Sequence, residues 1–529
     1  MDRHHVILKT SFIAIILVIV IHQGTRRFCY RFFVQPPDNY IDDVIKPQID
    51  AKQGSLKKVQ VGVKHSSFRR RFIQAAVNPQ LYSTMPLTTA QTQQSQSETD
   101  GKANSTTTTK KPANNNVDIQ RIAKVDVESE SQKQHFLTQL KPKLPDDPTR
   151  RILFGFFHPY ADANGGGERV LWDAVHETLL ADKRYITMIY TFTSTEDKSV
   201  SAMLTEVKSV FGIDLFQEQM NNRVVFIQLS NKYRWLINGS SYKMLTIIGQ
   251  ALGSIATFWM AVYHCSPDIF IDTLGLPFTY PCASFFLGVP VVSYTHYPLI
   301  SSDMLNKLGN PIGKNPYILA KFLYWKFMMK LYAICGAFSD LTVCNSTWTV
   351  NHIKNVWSWV DETNAPSILY PSTGLDETKI ADPVNSVKER KFLFVAQFRP
   401  EKRHELLLKE YNNYLQLTEE EHPYELILVG STRSKTDELT VERLRELIAK
   451  LKIEKHVTIK VNATRAEVDH YLAISEFGLN PMWKEHFGIT VVEYMFNGLI
   501  PLVHASAGPL LDIVVPIDPA SGEFVSPSD

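Results

Sequence analysis

From Arg151 onward the hydrophobic residues fall into short unbroken runs instead of alternating with polar ones. The first run, Ile152 to Phe157, ends in His158 and Pro159. Others follow at Tyr185 to Phe192, Arg223 to Leu229, Asp268 to Asp272, Val289 to Tyr294 and Leu341 to Cys344, each separated by a helical stretch. Unbroken apolar runs of this length suit strands covered on both faces. Their alternation with helices predicts a doubly wound parallel sheet, an α/β fold that binds ligands beyond the carboxyl ends of its strands.

Ser367 to Tyr370, followed by Pro371 and Gly374, predicts a last strand and a hinge. A second alternation then begins. Strands are expected at Lys391 to Gln397, Tyr424 to Gly430, His456 to Val461, Phe477 to Asn480 and Ile500 to His504, with a helix from Lys402 onward. The almost wholly apolar stretch Ile489 to Phe496, entered through Gly488, predicts a buried helix that carries one acid, Glu493.

The chain before Arg151 reads differently. Val6 to Ile21 is apolar except for Lys9, Thr10 and Ser11. It is short for a membrane span, yet no small-residue cleavage site follows it, so an uncleaved anchor is preferred to a signal peptide. Arg26, Arg27 and Arg31 follow, then Lys57, Lys58, Lys64, Arg69, Arg70 and Arg71. By the positive-inside rule these put the bulk of the chain in the cytosol. The same cations read either as a headgroup-binding cluster or as a solvated stretch. From about Asn78 to Arg150 the chain turns to Gln, Ser, Thr and Asn, as in Gln91 to Ser97 and Thr106 to Thr109, and predicts a disordered tether. The expected organisation is an anchor over 1–24, a basic and disordered linker over 25–149, and Rossmann-like domains over 150–374 and 375–529.

Composition adds bounds. The chain has 529 residues, 44% hydrophobic and 21% charged, which is ordinary for globular domains. A net charge of +2 with clustered basic residues gives no reason to expect nucleic acid. The five cysteines, with no Cys-x2-Cys spacing, argue against a disulfide framework and a zinc site and fit a reducing compartment. Sequons at Asn104, Asn238, Asn345 and Asn462 would be inert there. Two segments, Leu245 to Val262 and Tyr317 to Phe338, are unusually apolar and read equally as core helices or as helices lying in a headgroup layer.

The candidate chemistry sits at strand ends. Asn164, Gly165, Gly166 and Gly167 lie between a strand and a helix beginning near Val170, where backbone amides can approach a diphosphate. His158, Asp272, Thr273 and the stretch Thr295, His296, Tyr297 and Pro298 follow other strands of the first domain. His296 is the preferred contribution, able to hydrogen-bond sugar hydroxyls. Ser301, Ser302 and Asp303 predict a helix start. In the second domain, Arg399, Lys402 and Arg403 place cations at a strand end, where they would offset the charge of a departing diphosphate. Glu485 precedes His486, Phe487 and Gly488, and Glu493 lies eight positions after it. The pair suits a site in which two carboxylates hold different parts of a polyhydroxylated ligand.

Glu485 through Glu493 resembles the Glu-x7-Glu signature of retaining glycosyltransferases of the two-Rossmann-domain type. With Phe157 to Tyr160, Asn164 to Trp172, Tyr294 to Pro298, Ser302 to Met304, Val343 to Ser346 and Gln397 to Lys402, the chain from about residue 150 is similar to the GDP-mannose-dependent α-1,2-mannosyltransferases of the dolichol pathway. The resemblance implies a GT-B fold with two Rossmann-like domains facing a cleft. It also implies GDP-mannose as donor, a dolichol-diphosphate-linked Man3GlcNAc2 acceptor extended by its fourth and fifth mannoses, retention of configuration and no metal or other cofactor. The expected place is the cytosolic face of the endoplasmic reticulum membrane, beside other mannosyltransferases of the pathway.

By position the resemblance gives Glu485 the donor mannose, Glu493 the ribose, and Lys402 with Arg399 the diphosphate. Gly166 and Gly167 form the phosphate loop, His296 lines the transfer site, and Gly488 and Ile489 offer backbone amides beside Phe487. Gln397 departs from the Arg that many relatives carry, which shifts part of the clamp to Arg399. The family continues into a final helical segment beyond Asp529. A truncated, inactive nucleotide-sugar-binding or scaffold protein, or a transferase acting on another lipid-linked glycan, are the competing expectations.

Overall fold

The computed structural model describes residues 3–37, 39–50, 58–62, 65–87, 122–126, 129–163, 165–192, 198–298, 315–357, 365–374, 387–432 and 434–514. The expectations placed on Lys57, Lys64, Gln91 to Ser97, Asn104, Thr106 to Thr109, Asn164, Ser301 to Met304 and the last residues of the chain lie outside these. Two units are distinguished, Met1–Val343 with Lys354–Pro366, and Cys344–Ile353 with Ser367–Asp529.

A two-stranded antiparallel pair, β1 (Lys58–Gly62) with β2 (Ile122–Asp126), comes first. The apolar runs then become strands: β3 (Ile152–Phe157), β4 (Tyr185–Phe192), β5 (Val224–Leu229), β6 (Ile269–Asp272), β7 (Val291–Thr295) and β8 (Leu341–Cys344). In the first unit they lie in the order β5-β4-β3-β6-β7-β8. The pairings among β3, β4, β5, β6 and β7 are parallel. Counted from β3, this is the Rossmann order 3-2-1-4-5-6, with its reversal between β3 and β6. Phe156, Ile189 and Phe226 pack with Leu171, Trp172 and Val175 of the helix Gly166–Ala181 on one face of the sheet.

The short strand β9 (Ser367–Ile368) opens the return to the second unit, where Leu369 N–H donates to the Cys344 carbonyl at 2.9 Å. The second sheet contains β10 (Glu389–Val395), β11 (Glu425–Gly430), β12 (Val457–Val461), β13 (Ser475–Asn480) and β14 (Ile500–Val503) in the order β12-β11-β10-β13-β14. All four of its pairings are parallel. Successive residues serve opposite faces. Phe394, Leu426 and Leu428 pack with Leu408, Tyr411 and Leu444, while Leu393, Ile427 and Val429 pack with Leu472 and Tyr494. This two-sided burial is why the runs are apolar throughout.

Three expectations are corrected. The stretch Asn78 to Arg150 is not a tether over its described residues. Ser83 Oγ accepts Phe226 N–H at 3.0 Å, Thr84 N–H donates to the Phe226 carbonyl at 2.9 Å, and Thr84 Oγ1 accepts Gln228 N–H at 2.6 Å. The chain there covers the open edge of β5. Farther on, the helix Glu130–Gln139 buries Phe136 and Leu137, with Phe136 stacked on Phe72. The polar composition misled because much of the attachment to β5 is by hydroxyl and backbone hydrogen bonds of Ser83 and Thr84, with Met85 the one fully buried apolar side chain that joins the core beside Phe226.

Secondly, Arg69 and Arg70 are neither solvated nor lipid-facing, being 2% and 7% exposed. Arg69 donates to the Tyr82 carbonyl at 2.8 Å, and Arg70 pairs with Asp268, which also accepts from Arg150 at 2.8 Å and from Leu153 N–H at 2.9 Å. A buried guanidinium needs such partners.

Thirdly, the helix Ile489–Phe496 is buried on one face only: Val491 and Tyr494 are inside and Met495 is 47% exposed. The helix beginning at Lys402 starts two residues later, at His404, after a 3-10 turn over Pro400–Lys402. The five cysteines are all free, and four of them are buried.

Candidate functional site

In each unit the expected residues collect where the strand order reverses. In the first, His158 follows β3 and Asp272 and Thr273 lie at the end of β6, so the reversal brings them together. His158 is fully buried, its Nδ1 2.8 Å from Thr273 Oγ1 and its Nε2 3.4 Å from Glu168 Oε1. A carboxylate only accepts, so His158 Nε2 carries the proton and Nδ1 accepts from the threonine hydroxyl. Glu168 Oε2 accepts Gly165 N–H at 2.6 Å. The third residue of the helix thereby holds the residue that caps it. This chain of contacts fixes the start of the helix containing Gly166 and Gly167, where amides face outward at a positive helix end.

The same threonine holds the second histidine. His296 Nε2 is 3.1 Å from the Thr273 carbonyl, which makes Nε2 the protonated nitrogen. A β-carbon at Gly167 would lie only 3.7 Å from that nitrogen. The glycine turn and His296, separated by more than a hundred residues, thus adjoin. Asp272 serves a different purpose: it accepts Leu274, Gly275 and Leu276 N–H and the Tyr280 hydroxyl, and so shapes the turn after β6. Burial pushes its carboxyl upward against these donors.

In the second unit the reversal lies between β10 and β13. Lys402, in the loop after β10, donates to Glu485 Oε2 at 2.5 Å, and Asn480, the last residue of β13, lies 3.4 Å from the same oxygen. The Glu485 side chain is 13% exposed. Burial opposes its ionisation, but the Lys402 charge and hydrogen bond prevail, so the carboxyl sits below the ordinary range. His486 is pushed down to about 4, chiefly by burial and further by Lys402, against the raising influence of Glu485. Its neutral ring stacks on Trp348 with centroids 5.3 Å apart.

Tight backbone supports this loop. Gly488 has φ of +103°, a conformation that L side chains rarely adopt, and it opens the helix that carries Glu493. Gly508 N–H donates to the Glu485 carbonyl at 3.0 Å, and a β-carbon there would fall 2.4 Å from the His486 carbonyl oxygen. Only glycine permits that approach. Arg403, Lys484 and Ala507, none of them glycine, also have positive φ, so three loops at this end of the sheet hold strained backbone.

Tyr494 fixes the helix itself, its hydroxyl accepting Val395 N–H at 2.8 Å and donating to the Leu479 carbonyl at 3.3 Å. The preceding residue, Glu493, has a side chain 15% exposed and accepts from Arg465 Nη1 at 3.0 Å. Phe487 stacks near Tyr370, and among the described residues the Arg399 guanidinium makes no hydrogen bond or ion pair, while its backbone N–H donates to the Gln397 carbonyl at 2.8 Å. Among the described residues no group of three or more His, Cys, Asp or Glu could hold a metal ion.

The family described as "ALG11 mannosyltransferase N-terminus" matches residues 151–357, and the family described as "Glycosyl transferases group 1" matches residues 376–529. Proteins named GDP-Man:Man(3)GlcNAc(2)-PP-Dol alpha-1,2-mannosyltransferase are similar over most of their lengths. The Debaryomyces hansenii protein is 37% identical over 92% of this chain and 75% of its own. The Candida albicans protein is 39% identical over 86% and 71%, and the Homo sapiens protein 36% identical over 74% and 81%. The chain belongs to this mannosyltransferase family.

A mannosyltransferase of the group 1 class has the GT-B plan, and both units here are Rossmann-like. Similar solved structures include the Anabaena Alr3699/HepE complex with UDP-glucose, at 13% identity and TM-score 0.43 over 68% of this chain and 82% of that one. The E. coli trehalose-6-phosphate structure bound with UDP-2-fluoro glucose has 10% identity and TM-score 0.48 over 67% and 85%.

Sequence reasoning missed several residues around the mannosyltransferase's second-unit loops. Arg465 carries no local motif and is found only because its helix lies beside the one bearing Glu493. Trp348 and Thr347 come from a segment that precedes the second alternation, yet Thr347 N–H donates to Asp512 Oδ2 at 3.1 Å. Asn480 was placed at a strand end but not assigned to Glu485, which its register at the carboxyl end of β13 alone would have suggested.

Proposed function

We propose that the chain transfers mannose from GDP-mannose to dolichol-diphosphate-linked Man3GlcNAc2, adding the fourth and fifth mannoses through α-1,2 linkages with retention of configuration. The observation that carries this reading is the Lys402–Glu485 pair, held at the strand reversal by Asn480 and followed through Gly488 by Glu493.

Glu485 would accept hydroxyls of the donor mannose, and Glu493 those of the ribose. Arg399 and Lys402 face the diphosphate. Lys402 is held by Glu485 in the ligand-free chain, and when donor binds it is shared between carboxylate and phosphate. As the bond from mannose C1 to the diphosphate oxygen breaks, negative charge grows on that oxygen. Cations already in place stabilise it without reorganising, which is the main electrostatic contribution expected. The Gly488 and Ile489 amides and the positive helix end add to this beside Phe487.

The acceptor hydroxyl enters on the face that GDP leaves, forms the new C1–O bond there, and gives its proton to the departing phosphate oxygen. His296, with Nε2–H committed to Thr273, lines the transfer site beside Gly166 and Gly167. Arg399 and Lys402 supply the positive charge that a metal would otherwise supply, so turnover requires no divalent ion.

The chain is read as anchored on the cytosolic face of the endoplasmic reticulum, beside other mannosyltransferases of the pathway. Ile16 to Ile21 are exposed on the helix Arg3–Cys29, and Arg26, Arg27 and Arg31 follow them, as the positive-inside rule expects. The helix Pro316–Gly336 exposes Leu319, Leu323, Phe327 and Ile334 along one side, which suits contact with lipid. Among the described residues one helix, Thr246–His264, is long and apolar enough to cross a membrane, and 44% of its most apolar window is buried.

The deciding assay is transfer from radiolabelled GDP-mannose to purified Man3GlcNAc2 diphosphate-lipid in EDTA. The expected product is two residues longer and sensitive to α-1,2-mannosidase. Absence of product, or a strict metal requirement, would overturn the reading.

A further inference from the structure

One cavity lies far in sequence from the proposed transfer residues. It measures about 830 Å3 and is lined by Arg26, Arg27 and Arg31 together with Tyr30, Pro36, Pro37 and Leu287. No acid lines it. Among the described residues none of the three arginines makes a hydrogen bond or ion pair, and all three are exposed. Three unneutralised guanidiniums around one cavity repel one another, so the arrangement favours an anion between them.

Its position says where the anion comes from. Ile16 to Ile21, all exposed, directly precede the cavity on the same helix. At a rise of about 1.5 Å per residue, Arg26 lies roughly 7 Å beyond Ile21. That is the depth at which a bilayer carries its phosphates when the apolar run lies in hydrocarbon. The volume exceeds what a lone phosphate needs and falls within the range of pockets that enclose small organic groups. Pro36, Pro37 and Leu287 add apolar lining that suits a glycerol backbone beside the guanidinium forks.

A second cavity, of about 160 Å3, shares Tyr30 and Gln35 with the first and is lined by Lys141, Lys143 and Arg71, again without an acid among the described residues. The positive lining therefore continues from the membrane helix onto the segment before Arg151, which the fold holds firmly through Arg70, Arg150 and Asp268.

We propose that this cavity is a binding site for the phosphate-bearing headgroup of an acidic membrane phospholipid, which seats the first unit against the bilayer at a fixed depth. Arginine forks bind phosphate oxygens two at a time, so the site holds one headgroup and is more than a diffuse attraction. The proposal rests on the helix Arg3–Cys29 lying in a bilayer and is independent of the transfer reaction.

The test uses the full chain in neutral detergent and measures binding of tail-labelled phosphatidylserine against tail-labelled phosphatidylcholine, with no sugar donor present. The serine lipid is expected to bind at least tenfold more tightly. Replacing two arginines, R26Q with R31Q, should weaken it about 30-fold, from roughly fivefold per basic side chain at an anionic surface. The same variant should leave the thermal midpoint unchanged and weaken choline-lipid binding far less than serine-lipid binding, and R26K with R31K should keep the preference. Equal binding of the two lipids by the native chain, or an undiminished preference in the glutamine variant, would overturn the proposal. So would displacement of the lipid by an equal concentration of inorganic phosphate, which would make this a site for the free ion. Should the glutamine variant fail to fold, salt decides on the native chain: the preference must shrink between low salt and 1 M, and a salt-independent preference refutes it.

Discussion

Lys402 Nζ and Glu485 Oε2 lie 2.5 Å apart, the cation in the loop after β10 and the carboxylate in the loop after β13. These are the two strands at which the second sheet reverses its order, so the pair spans the point where an α/β sheet opens for a ligand. Replacing Glu485 with Ala is expected to reduce transfer more than 1,000-fold, on the order of losing about 4 kcal/mol of transition-state stabilisation. Lys402→Ala should do nearly the same, and the double variant little more than either alone, because both act on one leaving diphosphate. Thermal midpoints should move by only a few degrees, since the Lys402 side chain is 25% exposed and reaches water when its partner is lost. Native turnover in Glu485→Ala would remove that residue from the site.

Glu493 and Arg465 make a second pair with a different consequence. Arg465 is half exposed and also binds Asp469 at 2.8 Å, so its bond to Glu493 contributes little to stability. Glu493→Ala is expected to raise the KM for GDP-mannose 10- to 100-fold with a smaller fall in kcat, the signature of lost ribose binding. Arg465→Ala should change either constant less than threefold. A large loss in Arg465→Ala would mean that the arginine itself binds the donor. Steady-state kinetics with the two variants side by side separates the cases.

His404 predicts a pH dependence of folding. It is 3% exposed, lies between the rings of Phe394 and Phe398, and is lowered from 6.5 to about 4, mainly by burial and further by Lys402. The unfolded chain binds this proton more readily than the folded one between those values. Stability is therefore complete above pH 6.5 and falls as the pH drops toward about 4, by about 3 kcal/mol for a displacement of this size. In His404→Phe this loss should be missing, leaving the smaller acid dependence of other groups. Urea midpoints measured at pH 7, 5.5 and 4.5 would show it. An unchanged slope in the variant would mean that His404 stays uncharged in both states or is already protonated when folded.

Much of the sheet plan was legible because strands covered on both faces have no polar side to interrupt the pattern. Tyr185 to Phe192, buried almost throughout, has the expected bounds for this reason. The segment before Arg151 was misread because Ser83 and Thr84 bind β5 through hydroxyl and backbone hydrogen bonds, which leave no hydrophobic signature. At the site, strand-end position alone was enough to bring Lys402 to Glu485 and Gly167 to His296. Nothing in the sequence could bring Arg465 to Glu493 or Thr347 to Asp512, since those meetings depend on how separate helices settle on the sheet.

Thr347 also bears on how the gene can be divided. The stretch Cys344–Ile353 belongs to the second unit, although the chain then returns to the first until Pro366. The polypeptide therefore passes between the units three times, and no single cut yields two self-sufficient halves. Expressing only the stretch that follows the hinge would leave Asp512 without the Thr347 amide and hydroxyl, and His486 without the indole of Trp348. Evolution by fusion or shuffling of whole halves is constrained in the same way, because a donor half taken from a relative must bring its ten-residue outpost with it.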